Sequence, residues 1–247
     1  MKNKQNYSFL STAFFILIWE IISRYVGKQY LLPWPSGILK FIFENRISLF
    51  FVHLPATLLI VLISLSISIV LGILLAILMD NYEWFEQMIY PLIVTSQTLP
   101  IIAIAPIFIL WFGYTIWSKV IVAIIMIFFP ITINIHEGLK SVKKEYLELL
   151  ISMNASKRQI FFKLKIPTVL PYLFSSLKIV IPLSLIGASI GEWLGSEKGL
   201  GYFSKRMMTQ LNGFGVFAPI LILSIFAIIS VNFISILEKK YIYWRGQ

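Results

Sequence analysis

Cysteine is absent from this chain of 247 residues, which excludes a disulfide framework, a thiolate metal site and a thiol nucleophile. Charge is scarce too: 13% of the residues are Asp, Glu, Lys or Arg, against about 25% in a soluble domain. No ordinary water-soluble surface is built from so few charges. What fills the chain instead is apolar, with 58% hydrophobic and 15% aromatic residues and a mean hydropathy of +0.86. That composition belongs to an integral membrane protein with one helical bundle. Acid is the scarcer sign, 11 residues against 21 basic ones, for a net charge of +10. In a soluble chain this excess would raise nucleic acid as a partner. Here lipid and topology account for it, because long stretches carry no basic residue and the charges gather at the ends of apolar runs.

A helix crossing about 30 Å of hydrocarbon needs roughly 20 apolar residues. Six such runs are bounded by charge, and they predict an all-α membrane protein with a bundle of six transmembrane helices. The first, from about Tyr7 to Tyr25, follows Lys2 and Lys4 and lacks a small-x-small cleavage site, so it is expected to stay as an anchor. The second, about Thr57 to Met79, carries Ser64, Ser66, Ser68 and Gly72, small residues that let a neighbouring helix approach on one side. The third, about Met88 to Phe112, contains Pro91, Pro100 and Pro106. Each proline removes a backbone donor, so a broken path is expected, and breaks at membrane depth are tolerated only against protein or a water-filled cavity. Pro100 and Pro106 are therefore candidates for a translocation path, with a kinked packing helix as the alternative. The remaining runs are about Trp117 to Ile135, Val169 to Ile190 (with Pro171, Pro182 and Lys178) and Val216 to Leu237.

Lysine and arginine set the orientation, since loops on the cytoplasmic side retain them. With both termini inside, the inner segments hold the larger share, most of it in the interval carrying Lys140, Lys143, Lys144, Lys157, Arg158, Lys163 and Lys165. On the outer side, Leu32-Pro33-Trp34-Pro35-Ser36 reads as a turn into a helix that Ser36 would cap and that would lie at the membrane surface with Trp34 at headgroup level.

Residues Glu137 to Pro167 form the longest polar interruption and read as two short helices. One is expected from Ser141 to Met153. The second follows Ser156, with Gln159 completing a Ser-x-x-Gln capping box. Asn154, between them, tolerates the left-handed conformation that ends a helix, and Pro167 is expected to stop or bend the second helix. Lys157 and Arg158 sit in a first turn, where the helix dipole disfavours them by roughly 0.3–1 kcal/mol each. Anionic headgroups or an acidic groove on a cytoplasmic partner would select them. The apolar residues Leu149, Leu150, Met153, Ile160, Phe161 and Leu164 are too many for a solvated linker and need a surface to bury against.

This stretch, Glu148-Leu149-Leu150-Ile151-Ser152-Met153-Asn154-Ala155 through Leu164-Lys165-Ile166-Pro167, resembles the E-A-A-x3-G-x9-I-x-L-P loop of ATP-binding-cassette (ABC) importer permeases. Leu149 and Leu150 stand where that pattern has alanines, and Asn154 stands at its glycine. Leu99-Pro100-Ile101-Ile102-Ala103-Ile104-Ala105-Pro106 with Leu110-Trp111-Phe112-Gly113 is similar to the third span of the nitrate, sulfonate, taurine and thiamine-precursor branch. So is Gly191-Glu192-Trp193-Leu194-Gly195 with Gly199-Leu200-Gly201-Tyr202; the Gly-Glu-Trp form looks most like permeases for the pyrimidine precursor of thiamine. The resemblance implies a single permease domain over 1–247 of the type I ABC importer kind, in a bacterial cell membrane. It implies a cytoplasmic coupling loop at 137–167, with Glu148, Leu149, Leu150, Met153, Asn154, Ala155, Phe161 and Pro167 meeting the ATPase. The implied partners are cytoplasmic ABC ATPase subunits, an extracytoplasmic solute-binding protein and a second permease copy. No cofactor is implied in this chain, ATP and Mg belonging to the ATPase.

Other motifs are weaker. No G-x-x-x-x-G-K-[ST] string occurs, so nucleotide hydrolysis by that loop is not expected here. His136-Glu137 opens like a zinc-protease motif, but Lys140 stands at the second histidine position. An ionised group deep in a spanning helix costs about 2.5–3.5 kcal/mol, so each one asks for a role. Glu20 is assigned a structural role and Lys178 snorkels to the cytoplasmic surface. Glu192 and Trp193, at the outer mouth, either contact solute or pack the turn. A proton-coupled secondary transporter is the rival reading, with Glu20 and Glu192 titrating, but no repeat supports it. An aliphatic sulfonate, taurine or nitrate is the alternative solute.

Overall fold

A computed structural model describes the backbone of residues 2–242 and the side chains of residues 10–242; Met1 and Arg245 lie outside the described residues. Every regular element among them is helical. Helix α1 (Lys2–Val26) leads to the short α2 (Pro35–Glu44), and a π-helical turn (Ser48–His53) opens α3 (Leu54–Asn81). Then come α4 (Glu83–Ser96), α5 (Ile101–Phe112), α6 (Ile116–Lys140) and α7 (Lys144–Ser152). Helix α8 (Lys157–Ile160) runs through a second π-helical turn (Phe161–Lys165) into α9 (Ile166–Gly195), followed by α10 (Leu200–Thr209) and α11 (Gly213–Tyr241).

The core is organised around α6, which buries Val120, Ala123, Ile127, Ile131 and Ile135 at helical spacing between α3 and α9. The expected small-residue face of α3 is the one that packs: Ser64, Ser68 and Gly72 are buried, while Ser66 faces outward and bonds its own helix. The approach is close enough for the Ser64 hydroxyl to reach the Val120 carbonyl at 3.2 Å. A side chain at position 72 would meet Ile131 Cγ2 at 2.8 Å. Burying the Ser64 hydroxyl this way works because it also bonds the Ile60 carbonyl one turn back, at 2.7 Å.

Four continuous helical stretches are long and apolar enough to cross a membrane: Ser48–Asn81, Ile116–Lys140, Lys157–Gly195 and Gly213–Tyr241. They coincide with the second, fourth, fifth and sixth expected spans. The expected first span falls on α1, part of whose side chains lies outside the described residues. The third is the bent pair α4 and α5, which turn by 103° relative to each other. The broken path was expected from three prolines, yet the chain breaks at one. Pro91 and Pro106 sit inside helices, and only Pro100 caps a new one, at the start of α5.

Several expectations are corrected. Pro167 neither stops nor bends away the second loop helix; it sits in the first turn of α9 within a continuous rod of 39 residues, Lys157–Gly195. The reason lies just upstream. Both π-helical turns end two residues before a proline, His53 before Pro55 and Lys165 before Pro167. A proline lacks an N–H and its ring crowds the carbonyl four residues back, so widening the preceding turn lets the helix continue. The helix expected from Ser141 begins at Lys144, because Ser141 is the C-cap of α6, whose N–H bonds the Glu137 carbonyl at 2.9 Å. Ser36 does not cap α2 with its own side chain. Glu20 of α1 does so instead, accepting the Ser36 N–H at 3.0 Å and the Ser36 hydroxyl at 2.7 Å, with Arg24 donating to it at 2.6 Å. Helix α2 is no mere surface helix either, since Ile38 is buried with Leu49, Phe203 and Ile222 and Trp34 packs edge-on against Phe214. Lys178 is ion-paired with Glu238 across α9 and α11 rather than only snorkelling.

Candidate functional site

The rod Lys157–Gly195 has a chain reversal at each end, and most of the residues expected to carry function lie at or beside these two reversals, Pro100 and Pro106 of α5 excepted. The reversal at the N-terminal end of the rod closes on itself. Asn154 has φ +59, its N–H bonds the Ile151 carbonyl at 2.9 Å, and the Ala155 N–H reaches back to Leu150 at 3.0 Å. These two bonds form a Schellman cap, which requires the left-handed residue that Asn supplies with little strain. Two residues on, the Ser156 N–H donates to the Gln159 side chain at 2.7 Å while the Gln159 N–H donates to the Ser156 hydroxyl at 3.3 Å. The expected capping box is therefore complete in both directions.

With its backbone satisfied locally, this turn leaves its side chains free. No residue of α7 is buried. Leu149 and Met153 are 57% and 69% exposed, and Glu148 and Asn154 are exposed as well, whereas Leu150, Ala155, Phe161 and Pro167 are half-buried. Of the residues expected to couple, Glu148 to Ala155 form one segment and Phe161 and Pro167 lie on the rod, with Leu149, Ile151 and Met153 presenting apolar surface outward beside Tyr146 and Phe162. Exposed apolar patches at the end of a bundle, flanked by Lys157, Arg158 and Lys163, have the character of a protein contact.

The reversal at the C-terminal end of the rod is built in the opposite way. Helix α10 starts with amides that need acceptors, and three of them are met by side chains from other elements. Gly199 N–H donates to His53 Nδ1 at 3.2 Å, Leu200 N–H to the Thr57 hydroxyl at 2.8 Å, and Gly201 N–H to Glu192 Oε2 at 2.7 Å. Glu192 is fully buried. In return, Lys205 of α10 donates to the Trp193 carbonyl at 2.6 Å, one of the orphan carbonyls at the end of α9. Each helix thus caps the other with a charge of the sign its dipole favours. The glycines of the motif are explained by the same closeness. A side chain at Gly199, where φ is +118, would lie 2.2 Å from the Glu192 carboxylate, and one at Gly201 would lie 2.5 Å from the Ser189 carbonyl. At Gly191 it would meet the Lys119 backbone at 2.8 Å and at Gly195 the Tyr114 ring at 2.6 Å.

Glu192 and Trp193, adjacent in sequence, consequently face different surroundings. The carboxylate is turned inward onto helix amides. Trp193, 41% exposed, lies between two cavities and lines both. One is apolar, about 540 Å³, with Pro182, Ser189, Leu223 and Ser224 in its wall. The other is polar, about 910 Å³, edged by Tyr114, Tyr202, Lys198 and Arg206. From α5 the apolar cavity takes Ile102, not Pro100 or Pro106, both of which are exposed elsewhere on the bent pair. His53, Thr57 and Lys205 were not singled out from sequence. A lone histidine opening an apolar run was the one available signal. No cluster of metal-ligating side chains occurs among the described residues, His136 being paired with Glu86.

Residues 68–243 match the family described as binding-protein-dependent transport system inner membrane component. The chain is 53% identical over 246 residues to the formylaminopyrimidine transport permease protein ThiX of Halalkalibacterium halodurans, covering 98% of both chains. It is 28% identical over 241 residues to the putative aliphatic sulfonates transport permease protein SsuC of Bacillus subtilis, covering 96% of this chain and 87% of that one. With the taurine transport system permease protein TauC of Escherichia coli the identity is 25% over 195 residues, 79% of this chain and 71% of the relative. The chain belongs to the family of binding-protein-dependent transport system inner membrane components and is a multi-pass membrane protein.

Proposed function

We propose that this chain is the permease of an ATP-driven importer for formylaminopyrimidine, a pyrimidine precursor of thiamine, working as a pair of permease copies with both termini cytoplasmic. ABC ATPases on separate chains would bind at α7 and the turn after it and would carry the ATP and Mg, and an extracytoplasmic binding protein would deliver solute to the other face. The observation that carries this reading is the rod Lys157–Gly195, about 58 Å long at 1.5 Å per residue. It joins the exposed apolar coupling segment directly to the α9–α10 corner. A displacement at Leu149 and Met153 therefore reaches Trp193 through the short turn at Asn154–Ser156 and then one helix, with the ATPase biasing a two-state arrangement by binding one state better. Glu148, Leu150, Asn154, Ala155, Phe161 and Pro167 shape and seat the coupling segment. Trp193 borders the path, Glu192 holds the corner beside it, and Pro100 with Pro106 shape the bent pair on its flank.

Two observations favour this reading over its rivals. Of the carboxylates that a proton-coupled carrier would titrate, Glu20 has both oxygens occupied at the start of α2, and Glu192 gives one oxygen to the Gly201 N–H at the start of α10. As for the solute, the identity to the formylaminopyrimidine permease is 53%, against 28% and 25% for the sulfonate and taurine relatives.

The docking test uses the exposed pair, because Leu150 and Phe161 are half-buried and their replacement would disturb the fold. Leu149→Asp with Met153→Asp is expected to abolish co-purification of the ATPase and leave the thermal midpoint of the permease in place. Intact complexes after that change would refute the docking role. Vesicles holding the full complex should take up labelled formylaminopyrimidine only with ATP, and taurine in excess should not compete.

A further inference from the structure

Helices α3 and α9 both pack on α6, and each is tied to the other at both ends. The outer tie is α10, held by Thr57 and His53 from the α3 side and by Glu192 from α9. The cytoplasmic tie is one ion pair, between Lys165 Nζ and Asp80 Oδ2, whose side chains are 22% and 11% exposed. Asp80 is the penultimate residue of α3, and Lys165 is the last residue of the π-helical turn that precedes Pro167. That turn is the least regular part of the rod. The π-helical turn departs from the regular α-helical ladder, and the proline behind it contributes no N–H to that ladder, so bending of the rod concentrates there. It also lies between the coupling segment and the membrane-spanning length of α9. The other inter-helix pairs of this kind among the described residues, Lys178 with Glu238 and both Lys140 and His136 with Glu86, join residues of α-helices. This one is anchored in the hinge.

We propose that the Asp80–Lys165 pair is the tether that makes α3 follow the rod when the coupling segment moves, the two residues acting as positioning residues for transport. With the pair intact, a displacement of α7 cannot be absorbed by bending at Phe161–Lys165 without dragging the end of α3. With it neutralised, the hinge bends alone, and ATPase closure is spent on the hinge instead of on both walls of the bundle.

The inference rests on the importer reading, and the experiment separates the two. Full permease, ATPase and binding protein are reconstituted in vesicles, and uptake of labelled formylaminopyrimidine and ATP hydrolysis are measured on the same sample. ATP-independent uptake by the unaltered complex would overturn the importer reading and this inference with it. Against an ATP-driven baseline, Asp80→Asn and Lys165→Met are each expected to lower solute carried per ATP roughly tenfold. ATPase co-purification and the thermal midpoint should hold. The exchange variant, Asp80→Lys with Lys165→Asp, is expected to recover that ratio to within about threefold, which a loss of simple packing would not allow. An unaltered ratio in both single variants, uptake and hydrolysis falling in proportion with loss of complex, or no recovery in the exchange would each overturn the tether.

Discussion

The two reversals at the ends of the rod Lys157–Gly195 solve one problem, the orphan amides and carbonyls of helix ends, by opposite means. At Asn154 every partner lies within a few residues: Leu150 and Ile151 supply carbonyls, and Ser156 and Gln159 cap each other. At the α9–α10 corner the partners are His53, Thr57, Glu192 and Lys205, drawn from three parts of the chain. The first arrangement needs nothing from the rest of the molecule and so leaves an apolar segment free to meet another chain. The second spends its side chains inward, and the corner becomes part of the core. A local cap makes a surface, whereas a distributed cap makes a joint.

The contrast breaks most visibly at Gly199. Alanine there would have to adopt φ near +118 and overlap the Glu192 carboxylate, which is buried and cannot swing aside without giving up the Gly201 N–H. Gly199→Ala is expected to lose about 3 kcal/mol or more, read as a collapse of the thermal midpoint in detergent. Retention of that midpoint would mean that α10 is not seated as described. Glu192→Ala comes next. It removes the acceptor of the buried Gly201 N–H and leaves a hole, for an expected loss of about 2–3 kcal/mol. Glu192→Gln keeps an acceptor oxygen and should recover about half of it. If Glu192 served only to contact solute, both variants would keep their midpoint and lose uptake.

At the Asn154 turn the same kind of change should do little to stability. Asn154→Ala must place an ordinary residue at φ +59, a penalty of about 1 kcal/mol, and Asn154→Gly should lie within a few tenths of the parent. Denaturant midpoints of the three proteins, measured side by side, test the order Gly, Asn, Ala. Any larger fall for alanine would show that the turn leans on the core after all.

The same local-versus-distributed difference decides what was legible in the sequence. The Asn154 turn and the Ser156 box were readable because every bond in them spans a few positions, so spacing alone encodes them. Runs of apolar residues likewise marked the crossing helices, and proline marked a break in the third. What sequence could not reveal was which proline breaks the chain, since Pro91 and Pro106 are absorbed inside helices while Pro100 begins one. Nor could it reveal that Glu192 points inward, because its meaning depends on His53 and Thr57 far upstream. Pro167 misled for a different reason: the rule that proline ends a helix is sound, but here, as at Pro55, a π-helical turn just upstream lets the helix run on.

The smallest effect is also the most discriminating. Ser156→Ala and Gln159→Ala each remove one half of a reciprocal pair, and a helix N-cap of this kind contributes about 1 kcal/mol. Because the Ser156 hydroxyl accepts from the Gln159 amide while the Gln159 side chain accepts from the Ser156 amide, either change alone leaves the other bond geometrically possible but no longer pinned. The double variant should therefore lose less than the sum of the singles, by about 0.5 kcal/mol. Strict additivity in a double-mutant cycle of denaturant midpoints would mean that the two bonds form independently, and that the start of the rod is held by the packing of Phe161 and Leu164 instead of by its own first turn. In that case the inner reversal would resemble the outer one, and the distinction between a self-contained surface and a built-in joint would lose its basis at the end where the ATPase is proposed to bind.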